Sequence, residues 1–307
     1  MSAALQAPPS LCFVIPYFGR WPFWMPFFLE SCRANPSIDW LLFSDCGQVE
    51  HCPPNVRIVD IGYDAYCARV TRALGIEFAP QNPYKLCDLK PALGYIHEEE
   101  LRRYDFWAFG DLDLVFGDLR AYFTPERLAH KDLLSTHRRR VSGHCCLLRN
   151  TKRMREAFFR IRDWRTLFSD QKHHALDEGA FSRIFIRHKN WPDWLFRLAA
   201  QANPWYRRAE FVEAFSTPNA KVPWIDGGFE FPQRWFWDHG VLSNDRDVGR
   251  TFPYFHFVVW KNSMRNICEG VSNESCAEIA SAKCWMIDLH GFHSAGSASA
   301  DDTGGSE

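Results

Sequence analysis

Apolar residues fall into short unbroken runs in the first third of the chain and into helical spacing later. The run "LCFVIPYF" (11–18), rich in β-forming residues and stopped by Pro and Gly, predicts a buried strand, and "DWLLFSD" (39–45) and "VRIVDI" (56–61) predict two more strands. Between them lie a helix over "WPFWMPFFLESCRAN", with Pro22 in its first turn, and a second from Tyr63 to Leu74. A third helix, "PALGYIHEEELRR", starts near Pro91 and leads into a strand containing Asp111. This order predicts an α/β fold with a mostly parallel central sheet flanked by helices.

Further on, "LRAYFTPERLAHKD" reads as helix and "LLSTHRRRVSGHCCLLRN" as two strands around a polar turn. In "TKRMREAFFRIRDWRTLF" the residues Met154, Ala157, Phe158, Ile161, Trp164 and Phe168 recur at helical spacing and should face the core. "ALDEGAFSRIF" repeats the pattern with Leu176, Ala180, Phe181, Ile184 and Phe185. Residues 191–260 are aromatic-rich with Gly and Pro breaks, as expected for short strands and loops. The expected organisation is a flexible N-terminus (1–10), a single domain (11–290) and a disordered tail (291–307) of low-complexity composition.

Composition changes this picture little. With 46% hydrophobic residues in 307, the chain can bury a sizeable core, and its net charge of -1 gives no general footprint for nucleic acid. Nine arginines and one lysine between Arg138 and Arg165, against Glu156 and Asp163, make one basic stretch. It reads equally as a solvated helix face or as an anion-contacting one. Together with "WPFWMPFF", otherwise core, it raises the expectation of weak peripheral contact with anionic lipid. The eleven cysteines are scattered and never spaced C-x-x-C, the first residues lack a cationic leader, and no run nears the roughly 20 apolar residues of a spanning helix. A cytoplasmic protein, with possible contact at the inner membrane, is the expectation.

The candidate chemistry sits in "FWAFGDLDLVFGD" (106–118). Asp111 and Asp113 share one face of the expected strand, inside an apolar run where unpaired charge costs several kcal/mol. Hard oxygen ligands so placed suit Mg²⁺ or Mn²⁺, which keeps other positions for water and phosphate oxygens, so a diphosphate is the implied ligand.

"FGDLDLVFGD" resembles the D-x-D element of glycosyltransferases of the GT-A fold, whose acidic pair binds the metal on a nucleotide sugar's diphosphate. The resemblance implies a GT-A-like, Rossmann-like sheet and a nucleotide diphosphate sugar donor. It also implies a saccharide or lipid-linked saccharide acceptor, with bacterial surface polysaccharide synthesis as a setting. "PYKLCDLKPALGYI" is similar to the segment in which an Asp contacts the donor sugar, which matches Asp88. The basic residue usual three positions later is here Pro91, with Lys85 and Lys90 as substitutes. "VSGHCCLLRN" resembles a small-residue turn that would place Ser142, Gly143 and His144 beside the reacting carbon. "FHFVVWK" resembles the late His and Lys of glycogenin-type enzymes, implying His256 as third metal ligand and Lys261 on the leaving phosphates. Tyr17 and Asp45 end the first two strands, where a GT-A fold holds base and ribose. From Leu11 to about Lys261 the chain also resembles a bacterial family of uncharacterised glycosyltransferase-like proteins sharing "IPYFG" and "YKLCD-KP".

Other readings stand beside these. His256 reads also as a satisfied core histidine and Asp88 as a helix N-cap before Pro91. Asp177 and Glu178 open a helix, where acids favour the dipole. Asp177 lies on its buried side and is the preferred general base of an inverting reaction, with Glu178 second. "DLDLV" also fits a haloacid-dehalogenase-like phosphatase, and a sugar-nucleotide binding protein without turnover is the third alternative.

Overall fold

Both faces of LCFVIP, the strand Leu11–Pro16 (β1), are covered, because its side chains alternate between two apolar layers: Cys12 and Val14 on one side, Leu11, Phe13 and Ile15 on the other. The protein is seen in a computed structural model that describes residues 7–187, 191–218, 222–268 and 273–294. Further strands in chain order are Ile38–Ser44 (β2), Val56–Asp60 (β3), Phe106–Gly110 (β4), Leu114–Phe116 (β5), Leu133–Ser135 (β6), Cys145–Arg149 (β7) and Ala209–Phe211 (β8). Later come Trp235–Asp238 (β9), Val241–Asn244 (β10), Tyr254–His256 (β11), Cys284–Asp288 (β12) and Gly291–Ser294 (β13).

The main sheet has seven strands in the order β3-β2-β1-β4-β7-β6-β8, and only β7 runs against its neighbours. Helices flank it, so the mostly parallel α/β architecture expected from the sequence is the one observed. The helix Tyr63–Leu74 buries Tyr66, Val70 and Leu74 on one face of the sheet and closes at Gly75, whose φ of 62° is left-handed. Phe28 and Leu29, from the helix Met25–Arg33, cover the other face. That helix's Phe27 also reaches a second, four-stranded sheet (β10-β9-β12-β13), where Trp237 stacks on Trp285 at 3.8 Å and Phe27 on Phe292 at 3.9 Å.

Several expected elements are shorter or displaced. The first helix starts at Met25, so Pro22 precedes it and Pro26 stands in its first turn. The expected helix from Pro91 is a 3₁₀ run, Pro83–Ala92, followed by single turns Leu93–Ile96 and Glu98–Leu101. His97 interrupts it, because its ring is buried against Phe43 at 4.2 Å and bonded to the Tyr66 hydroxyl at 3.0 Å. The helix expected over 151–168 is broken at Asp163, whose φ is 57°, although all six of its marked apolar residues are buried. Thr124 caps a new helix and so splits 119–132 in two. Gly291–Ser294 pair with β12 instead of beginning a tail, and 295–307 lie outside the described residues.

Trp24, Met25, Phe27 and Phe28 are core residues. The basic stretch is divided among separate partners: Arg149 on Asp132, Arg155 on Glu98, and Arg153 and Arg160 over the ring of Trp205. The apolar half of the expected lipid contact is therefore already spent on folding. Among the described residues no helix is long and apolar enough to cross a membrane.

Candidate metal and donor site

The chain leaves the main sheet at Gly110, one residue before Asp111. The aspartates thus lie in a bend between β4 and β5, not on the strand face expected from their spacing. Three backbone ties fix the bend. Asp111 N–H donates to the carbonyl of His144 at 3.3 Å, Trp24 Nε1–H to the carbonyl of Leu112 at 3.0 Å, and Phe257 N–H to that of Asp113 at 3.3 Å. Because β5 pairs antiparallel with β11, His256 stands opposite Leu114 and next to Asp113.

One potential ligand atom from each of Asp111, Asp113 and His256 lies within 4.8 Å of the others. His256 is buried, its ring stacked on His144 at 4.2 Å and its Nδ1 3.5 Å from the Thr217 hydroxyl. Its Nε2 makes no hydrogen bond and faces Asp113 Oδ1 at 3.4 Å. This nitrogen thus meets a carboxylate without a well-formed hydrogen bond, and a metal ion between it and the carboxylates would use all three groups. Two carboxylates and an imidazole are a donor set that fits a divalent cation.

Each carboxylate also carries a lysine: Lys90 Nζ lies 2.5 Å from Asp111 Oδ1, and Lys261 Nζ 2.7 Å from Asp113 Oδ2. Against the upward push of burial, His256 and Lys261 hold the Asp113 carboxyl well below the usual range. Burial works to discharge Lys90, but Asp111, Cys87 and Asp177 together more than offset it, raising the ammonium's pKa.

Asp177 approaches from the opposite wall. It begins a π turn, Asp177–Phe181, in which Phe181 N–H bonds to the carbonyl of Leu176 at 2.8 Å, five residues back. Its Oδ2 is 4.0 Å from Lys90 Nζ and sits over Gly143 so closely that a Cβ there would fall 2.5 Å from it. Burial pushes the Asp177 carboxyl up to about 6, with Lys90 opposing. Glu178 is more exposed and paired with Arg140 at 2.9 Å. Tyr17, Tyr84, Gly143, Asp177, Glu178 and Lys261 help to line a cleft of about 540 Å³ around the metal triad. It opens where the parallel strands β1 and β4 end, the edge at which open α/β sheets bind ligands. A second cavity, about 450 Å³, lies at the strand starts by Cys12, Asp39 and Arg57.

The remaining sequence candidates divide. Tyr17 lines the cleft and stacks on Trp21 at 5.7 Å. His144 lines it too, held neutral first by burial and then by His256 and Lys90, with its Nε2 shared among Ser142, Thr217 and Tyr254. Ser142 is buried behind it and helps to orient it. Asp45 is outside the lining and accepts from Gly19 N–H at 2.8 Å. Lys85 and Asp88 are not at the cleft either. They form a buried ion pair of 3.0 Å in which Asp88 accepts from the backbone of His174 and Leu176. Asp88 is thus not the cap before Pro91, and its carboxylate is engaged by Lys85 and two backbone N–H groups. The bend carrying the aspartates follows the fourth strand, not the first as the phosphatase alternative requires. Lys90 was legible only as a substitute basic residue in "KLCDLK" and Arg140 only as one of the basic stretch, while Tyr84 and Thr217 had no signal of their own.

The sequence profile of a family of unknown function (DUF6625) matches residues 13–286. The chain belongs to this family. No curated protein is similar in sequence to this DUF6625 member. Among solved structures, the apo form of mouse xyloside xylosyltransferase 1 shares 8% identity at a TM-score of 0.40, covering 69% of this chain and 87% of that one. The galactosyltransferase LgtC, in complex with donor and acceptor sugar analogues, shares 11% at 0.38 and covers 89% and 96%. The glycosyltransferase GlyE of Streptococcus pneumoniae TIGR4 shares 10% at 0.32 and covers 68% and 46%. At such distance the functional reading rests on the site's own geometry.

Proposed function

We propose that this DUF6625 member is a metal-dependent glycosyltransferase, acting as one catalytic unit over 11–290, that moves a sugar from a nucleoside diphosphate sugar to a saccharide hydroxyl. The observation that carries this is the convergence of Asp111, Asp113 and the buried Nε2 of His256, which makes no well-formed hydrogen bond, at the ligand-binding edge of the sheet. Asp111, Asp113 and His256 would hold Mn²⁺ or Mg²⁺, which when bound supplies positive charge to a diphosphate leaving group. Lys261, at the start of the helix Trp260–Cys268, is near enough to bind the same phosphates, and Tyr17 offers a face for the base.

In the reaction the acceptor oxygen forms a bond to the sugar's anomeric carbon while that carbon's bond to the diphosphate oxygen breaks, its electron pair leaving with the diphosphate. In an inverting reaction the hydroxyl proton passes to Asp177, whose carboxyl sits near 6 and is largely ionised at neutral pH. Gly143 leaves room for that carboxylate, and Glu178, tied to Arg140, borders the acceptor side.

The test is incubation with UDP-, GDP- and CDP-sugars, with Mn²⁺ or with EDTA, reading nucleoside diphosphate release and sugar transfer. Metal-dependent release supports the proposal. Binding without release in a single turnover indicates a binding protein, and phosphate release from a phosphomonoester without acceptor indicates a phosphatase.

A further inference from the structure

The metal triad is not an open set of ligands. Asp111 and Asp113 carry two negative charges, and Lys90 and Lys261 already return two positive ones at 2.5 and 2.7 Å. The aspartate pair is thus neutralised before any cation arrives. A divalent cation entering it would meet two ammonium groups within a few ångströms, in a site where Asp113 and Lys90 are largely shielded from water.

The two lysines differ in their freedom to leave. The Lys261 side chain is 30% exposed and borders the cleft, whereas that of Lys90 is 10% exposed and has one other carboxylate near it, Asp177 at 4.0 Å. A diphosphate in the cleft brings the negative charge that a cation and two lysines together require.

We propose that Lys90 and Lys261 are resident counter-ions of the aspartate pair, which keep the metal site latent until a nucleoside diphosphate enters. Lys261 then transfers from Asp113 to the phosphates, and Lys90 turns from Asp111 towards Asp177. Metal and nucleotide therefore bind with positive coupling, and by reciprocity each raises the affinity of the other. The inference rests on the metal site of the reading above but not on sugar transfer itself.

The test measures Mn²⁺ binding by the loss of the free-ion EPR signal, without nucleotide, for the wild type, Lys261→Met and Lys90→Met. Each variant is expected to bind Mn²⁺ at least about tenfold more tightly than the wild type and to gain more melting temperature from it. Variants that bind Mn²⁺ no more tightly than the wild type overturn the proposal. Should Lys90→Met not fold, Lys90→Gln and the more exposed Lys261→Met decide the matter. In a second arm UDP, GDP and CDP are added, with their own Mn²⁺ complexes subtracted. The wild type should gain Mn²⁺ affinity with one of them and Lys261→Met should gain less; an equal gain overturns the transfer of Lys261. Tighter Mn²⁺ binding by the variants in a protein that transfers no sugar would leave this inference standing and remove the transferase reading. Absence of Mn²⁺ binding in every variant removes both.

Discussion

The segment "KLCDLK" sends two lysines to aspartates with opposite results. Lys85 reaches Asp88 at 3.0 Å and also donates to the carbonyls of Leu167 and Lys172, while Asp88 accepts from two backbone N–H groups. Both side chains are almost wholly buried, and their hydrogen-bonding capacity is used up inside the protein. Lys90 reaches Asp111 at the rim of the cleft, where Asp113, Lys261 and the bare Nε2 of His256 gather. Here the charges balance but the lone pairs are not exhausted. Two ion pairs from one short segment are therefore told apart by what they leave unfilled: the saturated pair holds a loop, and the unsaturated cluster has capacity for a ligand.

That contrast can be broken most severely at Asp113. Asp113→Asn should lower metal-dependent donor turnover by roughly a thousandfold or more and abolish the Mn²⁺-dependent rise in melting temperature, with the fold kept. Wild-type turnover in this variant would remove Asp113 from the site. Next comes Asp177→Asn, for which a loss of about 10²–10⁴ in transfer is expected if Asp177 is the base. Wild-type activity should then rise with pH through about 6, and the variant should lose that limb.

Stability should move the other way. The folded pKa of Asp177 is raised from 3.8, so the fold favours the protonated form, an advantage complete below about pH 4 and lost as pH rises through 6. Asp177→Asn, fixed neutral, should gain on the order of 1–3 kcal/mol over the wild type at pH 8 and little at pH 4, as denaturant melts can show.

On the saturated side, Asp88→Asn leaves the Lys85 ammonium buried without its counter-charge and should cost about 3–5 kcal/mol of stability. Turnover per folded molecule should remain within about threefold of the wild type. A stable variant with a selectively raised KM for donor sugar would instead return Asp88 to the donor. The smallest effect belongs to Arg140→Ala, which removes a part-exposed pair with Glu178 and should change stability by about 1 kcal/mol or less.

The sheet was legible because parallel strands buried on both faces are written as mostly apolar runs, as β1, β2 and β4 are, while the edge strand β3 was legible from its β-branched residues. The metal triad was legible in part: the aspartates announce themselves by standing in an apolar run, and the late His and Lys by resemblance of their motif. What spacing could not reveal was the path of the backbone. Asp111 and Asp113 converge through a bend and not through strand alternation, and β11 brings His256 in by pairing with a three-residue strand too short to read. The surroundings of Asp88 were hidden for a related reason, since besides Lys85 its partners are backbone N–H groups of a distant loop, which carry no side-chain signature.

The π turn at Asp177 has a consequence for chain length. Such a turn accommodates one residue more than an α-helical turn between the same bonded ends. Here Ser182 fastens the far end, its hydroxyl accepting from Val141 N–H at 2.7 Å and donating to the carbonyl of Asp177. Deleting Gly179, which has open space around it, would let the segment relax to an ordinary helix and keep the apolar contacts of Phe181 and Phe185 beyond the deletion. The anchored end would stay in place, and Asp177 would be carried around the helix axis away from Gly143. A single-codon deletion that changes no named site residue would then yield a folded protein without its carboxylate in the cleft, so at this turn the number of residues matters as much as their identity.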